Sequence, residues 1–366
     1  MTHEEFMLEA FKESVNAVSS PVAIFTAVAV LLVLFVRFPK FFTSTPVSLA
    51  LAGLGLAFFG VGLTDVHFRN IVSMPDNVPI VGMLFIFSYF TWFSVRKGVE
   101  NDERMEAGKP TLEKAEAEEK VMVFPYLIYI EFVAALFYSI MLVLWSIYLK
   151  APLEDPANPS ISPNPSKAPW YFLGLQEMLV YYDPWLAGVL FPTFIILGLC
   201  ALPYIDNDPK SSGYYTFKSR WPAIMLFLFG FWLLWILLIV MGTFLRGPNW
   251  NFFGPFEIWD VHKLVPLMNV NLSEFVYIKW LGMGLPKAWY LREAPGILVL
   301  IFYFTVPGFI LSKTLFKRIY EKMGAARFHI YLVLLLAMLA LPIKMYLRWG
   351  FNLKYIVGIP EFFFNI

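Results

Sequence analysis

The chain has 366 residues, of which 59% are hydrophobic and 15% are charged, and its formal net charge is +1. Soluble domains carry about a quarter charged residues, so this composition excludes an ordinary soluble protein, and the small net charge gives no indication of nucleic-acid binding. The single cysteine, Cys200, excludes a disulfide framework, and the absence of a Cys-x-x-Cys-His sequence excludes covalently bound c-type haem.

The N-terminal stretch, residues 1–21, is acidic and mixed in polarity. Its apolar residues are spaced along one side, which predicts an amphipathic helix on the membrane surface rather than a cleavable signal peptide. Apolar stretches long enough to cross a bilayer follow it. They predict an all-α polytopic bundle of eight membrane helices, at about 22–38, 47–65, 77–95, 124–149, 184–204, 221–245, 295–312 and 329–347.

The charged stretch 96–121 is the main linker of the chain. Its charges alternate in sign, which predicts a solvated helix. It separates a three-helix extension, residues 22–95, from a central unit, residues 122–245. The remaining part, residues 246–366, is predicted to hold a long aromatic loop and two further membrane helices.

The lysine and arginine counts of the loops predict the orientation. One set of loops holds 16 of these residues and comprises 37–46, 96–121, 205–220 and 312–328. A second set holds 12 over a much greater length and comprises the N-terminus, 66–76, 150–183, 246–294 and the segment from 344 onward. The positive-inside rule places the first set in the cytoplasm. The second set, with both termini, is therefore predicted to face the electropositive side.

The most distinctive stretch lies between the fourth and fifth membrane helices. Six prolines between positions 152 and 169 precede an amphipathic aromatic stretch, Trp170–Asp183. Irregular backbone in lipid is tolerated only at the surface or where protein buries it. We therefore predict a surface loop that carries an interfacial helix, with aromatic side chains suited to an apolar, ring-shaped ligand.

Residues that could bind redox metals are sparse. The sequence has no cysteine cluster for an iron–sulfur centre. None of the four histidines shares a predicted helix with another, so no pair is placed to ligate a haem; they are His3, His67, His262 and His329. We predict that this chain holds no metal or haem ligand, and that partner chains carry the metals of any redox activity.

Three runs in the centre of the chain, PANP, PSKAPWYFLGLQEML and LPYID, resemble the C-terminal half of cytochrome b, a separate chain called subunit IV in photosynthetic complexes. The resemblance covers about 120–245. That family carries a Pro-Glu-Trp-Tyr motif in this loop, which forms part of a quinol-oxidation pocket on the electropositive side. The matching residues here are Ala168, Pro169, Trp170 and Tyr171.

Two further stretches, PDNVPIVGMLFIFSYFTWFSVRKGVENDER and GTFLRGPNWNFFGPFEIWD, are similar to larger subunit-IV-like proteins of bacterial menaquinol–cytochrome c reductases. Together the resemblances imply a haem-free membrane subunit of a cytochrome bc-type quinol–cytochrome c oxidoreductase in a bacterial inner membrane. They also imply a dimeric, proton-translocating complex with a haem-bearing cytochrome b subunit, a Rieske iron–sulfur protein and a c-type cytochrome. The substrate would be a quinol, with menaquinol favoured.

The resemblance also implies which residues line the quinol site. They are Pro169, Trp170, Tyr171, Phe172 and Leu175. The aromatic residues among them are equally typical of an interfacial aromatic belt, which needs no quinone.

The family's motif glutamate corresponds to Pro169, which cannot accept a proton. Glu177 lies two helical turns after Trp170 and is the first candidate to replace it, because a carboxylate beside an apolar pocket suits a proton acceptor. Glu177 could instead meet water or a lysine of a partner. Asp183 is a second candidate, although an Asp before a proline is also an ordinary helix-start residue.

Two charged residues lie within predicted membrane helices. Glu131 is predicted to be buried in the fourth helix, where it could serve proton uptake or a second quinone site on the cytoplasmic side, or could instead be hydrogen-bonded by neighbouring tyrosines. Lys344 lies near the end of the last helix and is predicted to extend its amine to the membrane surface.

Other functions stay open at this point. A structural or anchoring subunit without a quinone contact is favoured by the missing motif glutamate. A transporter is disfavoured, because few charges lie within the membrane and no inverted repeat with broken helices is evident. The segment 246–260, with two Gly-Pro turns and five aromatic residues, is either interfacial packing or a docking platform for a partner.

Overall fold

The computed structural model describes residues 3–117, 120–150, 156–205 and 216–366. Over these residues the chain is mainly helical, with one small antiparallel hairpin. In chain order its elements are α1 (His3–Val18), α2 (Pro21–Arg37), α3 (Pro39–Phe42), α4 (Thr45–Thr64), α5 (Val66–Val72), α6 (Val78–Glu106), α7 (Leu112–Ala115), α8 (Val123–Tyr148), α9 (Trp170–Met178), α10 (Leu186–Ile205), α11 (Phe217–Leu245), α12 (Leu272–Glu274, continued by a wider turn at Phe275–Trp280), α13 (Trp289–Arg292), α14 (Ala294–Lys313), α15 (Lys317–Met323), α16 (Ala325–Phe351), β1 (Gly358–Ile359) and β2 (Phe364–Asn365).

Seven helices in the described part of the chain are long and apolar enough to cross a membrane; they are α4, α6, α8, α10, α11, α14 and α16. The eighth candidate is α2, which meets α1 at a bend of 86°. These eight helices coincide with the eight predicted stretches, so the prediction of an all-α polytopic membrane bundle is confirmed. The surface helix predicted after the fourth span is α9.

The bend between α1 and α2 begins at a helix cap. The hydroxyl oxygen of Ser20 accepts a hydrogen bond from the backbone of Ala23 at 3.1 Å, and Pro21 occupies the first helical position, where its missing N–H costs nothing. Before the bend, Lys12 on α1 forms an ion pair with Asp65 at the start of α5, at 2.8 Å. This pair holds α1 across the end of the bundle.

The apolar core is built around α11, which has a larger buried share than any other candidate span. Helices α2, α6 and α16 and the start of α10 contribute to the same core. The short helix α9 lies against α11, and each helix places a glycine at the contact. A Cβ on Gly242 would come 3.3 Å from the carbonyl oxygen of Leu173, and a Cβ on Gly174 would come 3.4 Å from Trp235. The missing side chains therefore allow the two helices to approach closely.

Loops of the second set, which hold fewer lysines and arginines, contact one another at one end of the bundle. Asn16 of α1 accepts a hydrogen bond from the backbone of Phe256 at 2.9 Å. Asn164 of the proline loop bonds to Asn249 of the same aromatic segment, and Asn365 of the C-terminal hairpin bonds to the start of α10. Four stretches distant in sequence thus form one layer.

Loops of the first set meet at the opposite end. The guanidinium of Arg96 donates to the carbonyl oxygen of Thr43 at 2.8 Å, and the Asp102 carboxylate accepts from the backbone of Lys218 at 2.8 Å. The division of the loops into two sets, which the eight predicted spans require, agrees with these contacts.

The predicted linker is partly a continuation of α6, which runs to Glu106 and so passes the expected boundary at residue 95. The helix is not solvated all round there, because Val99, Asn101 and Asp102 are buried. Asp102 satisfies backbone N–H groups at the first turn of α11, which is why a charged stretch packs against the bundle.

Helix α8 carries no buried residue. Glu131 on this helix is exposed like the rest of α8, so no other part of the described chain covers it, and its burial stays a prediction. Hydropathy identified the helix correctly but contains no information about which surface would cover it.

The prediction that Lys344 extends its amine to the membrane surface is wrong. Lys344 is fully buried, its amine lies 5.4 Å from the ring centre of Tyr182, and it has no hydrogen-bond partner among the residues described. The neighbouring residues Leu341 and Met345 belong to the core, so this side of α16 faces inward rather than toward the membrane surface.

Candidate functional site

The proline loop is fastened to α9 by a glutamine. The side-chain oxygen of Gln176 accepts a hydrogen bond from the backbone of Ala168, and its amide donates to the carbonyl oxygen of Ser166, both at 2.8 Å. These two bonds lie on either side of Lys167. The loop immediately before α9 is therefore fixed, although its backbone forms no regular structure.

The helix α9 has one buried and one exposed face. Leu173, Glu177 and Met178 face the core, whereas Tyr171 and Phe172 are about half exposed, at 48% and 51%. The rings of Tyr171 and Phe172 contact each other with centres 4.7 Å apart. The exposed face therefore presents an aromatic surface at the end of the bundle where the second set of loops meets.

Glu177 takes part in a buried ion pair. Its two carboxylate oxygens accept from Nη2 and Nε of Arg246, at 2.6 and 2.9 Å, and the hydroxyl of Tyr181 donates to Oε1 at 3.2 Å. The side chain of Glu177 has no exposed surface, and Arg246 is also buried. Such a two-bond contact between a guanidinium and a carboxylate is among the strongest polar contacts in proteins.

Burial and the charge of Glu177 shift the pKa values of Arg246 and Tyr181. Burial alone would lower the pKa of Arg246, but the adjacent Glu177 carboxylate outweighs burial and raises the pKa. Burial raises the pKa of Tyr181 well above its usual value, and the negative charge of Glu177 raises it further. Tyr181 therefore stays a neutral donor. Arg246 also donates to the carbonyl oxygen of Trp250 at 3.0 Å, which fixes the aromatic segment after α11.

Lys167 lies beside this pair without joining it. Its amine donates to the carbonyl oxygen of Thr243 at 2.7 Å and lies 4.6 Å from the ring centre of Trp259. Burial lowers the pKa of Lys167 to about 8, although the Glu177 charge opposes the shift. The hydroxyl oxygen of Thr243 and the indole nitrogen of Trp259 are both buried and have no hydrogen-bond partner in the described chain.

The residues expected to line a quinol site are divided between two surfaces. Trp170 borders an apolar crevice of about 10 Å³ between α6, α9 and α11, which is room for no more than one water molecule. Pro169, Tyr171 and Phe172 are exposed, and Leu175 is half-buried against the core. Ligand pockets for ring-shaped molecules are far larger, at roughly 300 Å³ or more. The crevice at Trp170 is therefore too small to enclose such a molecule.

The three candidate proton acceptors are separated. Glu177 is paired as described, and Asp183 accepts a hydrogen bond from the amide of Asn365 at 2.7 Å. Glu131 is exposed on α8, nearer the end that follows the charged linker. Within the described ranges, no three His, Cys, Asp or Glu side chains come together as a metal site.

Four important residues of this site did not stand out in the sequence: Lys167, Gln176, Tyr181 and Arg246. Arg246 gave one signal, because it is the first charge after a long apolar helix, and a charge near the membrane calls for a partner. Its partner is 69 positions away, so no local pattern connects the two.

One part of the chain matches a known protein family. Residues 156–256 match the family described as cytochrome b (C-terminal)/b6/petD. This part of the chain is similar to the C-terminal half of cytochrome b. The cytochrome b-like segment includes most of the proline loop and extends through α11 to Arg246 and the aromatic residues after it, but not to α8. The resemblance predicted from the sequence is confirmed for these residues, which are a little over a quarter of the chain. No solved structure matches the chain.

Proposed function

We propose that the chain is the haem-free, subunit-IV-like subunit of a cytochrome bc-type quinol–cytochrome c oxidoreductase. The observation that carries the proposal is the site around α9. Within the cytochrome b-like segment, Gln176 and the Glu177–Arg246 pair hold the proline loop and α9 in place. A buried ion pair and a glutamine that fastens the loop, both on one short helix, favour a site whose shape matters.

The arrangement supports a pocket that is completed by another chain. The crevice at Trp170 is too small for a quinol head group, while Tyr171 and Phe172 lie exposed beside it. A haem-bearing cytochrome b subunit packed on this aromatic face would enclose a quinol against it. Rings stacked on rings are worth about 0.5–1.5 kcal/mol beyond the burial of their area, which suits a planar substrate.

The remaining assignments follow from the same proposal. Menaquinol is the proposed substrate, in the inner membrane of a bacterium, with the second set of loops and both termini on the periplasmic side. Haems and an iron–sulfur cluster on partner chains, among them a Rieske protein and a c-type cytochrome, would accept the electrons. The residues of this chain bind and orient the quinol, exclude water and receive protons. The complex is proposed to be dimeric.

A structural or anchoring subunit is the second candidate. The observation that favours it is Pro169, which stands where the family's motif has a proton-accepting glutamate. In that case the aromatic face of α9 would contact protein or lipid only.

The two candidate functions differ in whether the aromatic face of α9 contacts quinol, and kinetics of the purified complex can distinguish them. We expect the double variant Tyr171→Ala/Phe172→Ala to raise the KM for quinol about tenfold or more, since two ring contacts are lost. Phe309→Ala is the control, because Phe309 is also an exposed aromatic residue but lies on α14. Steady-state quinol–cytochrome c reduction is measured with subunit content and haem spectrum unchanged. An unaltered KM and kcat in the double variant would support the anchoring role instead.

A further inference from the structure

The site lacks an obvious carboxylate that could take a proton from quinol. Glu177 accepts hydrogen bonds from Arg246 and Tyr181 on both oxygens, so a proton would have to displace a strong ion pair. Asp183 is engaged by Asn365. Glu131 is 17 positions from the end of α8 that leads into the proline loop, which is roughly 25 Å along a helix.

Lys167 differs from these groups because nothing neutralises it by direct contact. It makes a single hydrogen bond to a backbone carbonyl oxygen and no ion pair in the described chain, and its amine lies on the face of Trp259. Gln176 bonds the backbone on both sides of Lys167 and so fixes where its side chain starts. The ring face and the carbonyl oxygen favour the ammonium form, but removal from water outweighs them, so this lysine loses its proton more readily than an exposed one.

Two residues that Lys167 contacts also carry unsatisfied polar atoms. The Thr243 hydroxyl and the Trp259 indole nitrogen belong to the two residues that Lys167 contacts, and both atoms are buried without a partner in the part of the chain described. Buried polar groups are almost always hydrogen-bonded, so this spot favours a visiting hydroxyl group or water molecule. Lys167 itself lies three positions before Trp170, in the segment proposed to border the quinol.

We propose that Lys167, as the neutral amine, accepts the proton that quinol releases, with Thr243 and Trp259 lining the route. The inference rests on the proposed function and names the group that takes the place of the missing glutamate. In the step, the O–H bond of quinol breaks, its electron pair stays on the quinol oxygen, and a new N–H bond forms on Nζ. The ammonium then gives this proton to water on the same side, and the electrons leave separately to the partner chains.

The charges around Lys167 set the pH at which this step is available. Glu177 on α9 acts on it through its charge, and that carboxylate is itself bonded to Arg246 at the end of α11 and to Tyr181 after α9. The pair of Glu257 with Lys263 lies on the aromatic segment. Burial lowers the pKa of Lys167 to about 8 against the opposing effect of Glu177. The fraction of neutral amine therefore rises as the pH rises through about 8, and quinol oxidation should rise with it and then level off.

The decisive variant is Lys167→Arg in the whole complex. Arginine keeps the positive charge and the hydrogen-bond donors but does not deprotonate. We expect kcat/KM for quinol to fall about a hundredfold or more, the range for loss of a general base, and the rise between about pH 6 and about pH 9 to disappear. Lys263→Arg is the matched control, since Lys263 also lies on an aromatic ring in the same layer but is paired with Glu257. Near-wild-type activity and an unchanged pH profile in Lys167→Arg would overturn the inference.

A second measurement does not depend on turnover or on a variant that assembles. Competitive labelling of the wild-type complex with an amine-reactive reagent, read by mass spectrometry, gives the pKa of Lys167 itself. A value near 8 supports the inference, and a value near 10.5, that of an ordinary lysine, overturns it. If the wild-type complex oxidises no quinol, the proposed function fails; if it does so and Lys167→Arg is unimpaired, only the role of Lys167 fails.

Discussion

At the scale of single residues, Glu177 and Arg246 each stabilise the fold only while the charge of the other is present. Both side chains are buried, so the loss of either charge leaves the other without compensation. Breaking a buried pair by removing one partner costs about 3–5 kcal/mol, whereas removing both charges is often nearly neutral. A variant of Glu177 alone therefore reports on stability as much as on proton transfer.

A double-mutant cycle separates these effects. We expect Glu177→Gln to lower the melting temperature of the complex markedly, and Glu177→Gln/Arg246→Met to recover most of the loss. Melting is followed by near-ultraviolet circular dichroism, with Arg246→Met measured alone to close the cycle. If the losses of the two single variants simply add, the pair contributes nothing and the structural role assigned to it is wrong.

The residue scale is also where sequence and structure diverge most. Trp170 and Tyr171 were placed correctly at the start of a surface helix, because the motif and the aromatic pattern are local. The partner of Glu177 was not predicted, since 69 positions separate it from Arg246. Lys344 was misplaced for a related reason, because its depth depends on which neighbours surround α16 rather than on its distance from the helix end.

At the scale of elements, the contact between α9 and α11 positions the whole site. A side chain on Gly242 would press on the carbonyl oxygen of Leu173, which is backbone and cannot rotate away. We expect Gly242→Val to push α9 outward and to destabilise the complex by about 1–3 kcal/mol, as overpacking does. The KM for quinol should rise as well, because the loop before α9 moves with it.

The control for that variant is Gly188→Val on α10, where a Cβ would meet nothing within 4 Å. Melting temperature and steady-state kinetics are compared for the two variants. If the two variants have the same melting temperature and the same KM, the close approach of α9 to α11 does not matter for stability or for activity.

Elements were the best-predicted level of the structure. A run of apolar residues long enough to span a bilayer leaves the backbone little choice but a helix, since every N–H and C=O must be satisfied within the segment. Hydropathy alone therefore placed all eight candidate spans. Hydropathy could not show that α6 continues to Glu106. The last turns of this helix bury a few residues but consist mostly of charged ones, so they contain no continuous apolar stretch. Nor could hydropathy show that α8 is left uncovered by the rest of this chain.

At the scale of the whole molecule, the chain has two polar layers separated by an apolar bundle. The grouping of the loops into two sets follows from the number of predicted spans, and the contacts of Asn16, Asn164 and Asn365 on one side and of Arg96 on the other agree with it. The agreement has a physical cause. Helices that each cross the bilayer once must place alternate loops on alternate sides, so the grouping is correct if the number of spans is correct.

Which layer faces the cytoplasm is a separate question, and the charge counts make a definite prediction. Single cysteines are placed in a chain whose only native thiol is removed by Cys200→Ser. We expect Phe363→Cys, in the exposed C-terminal hairpin, to react with a membrane-impermeant maleimide in intact cells, and Ala107→Cys, after the end of α6, to react only once the inner membrane is opened. The opposite pattern would invert the molecule and move the α9 site to the cytoplasmic side, where the quinol-oxidation role would be untenable. Reaction of both positions from the same side would contradict the two-layer arrangement itself, and with it the count of membrane helices on which the layers depend.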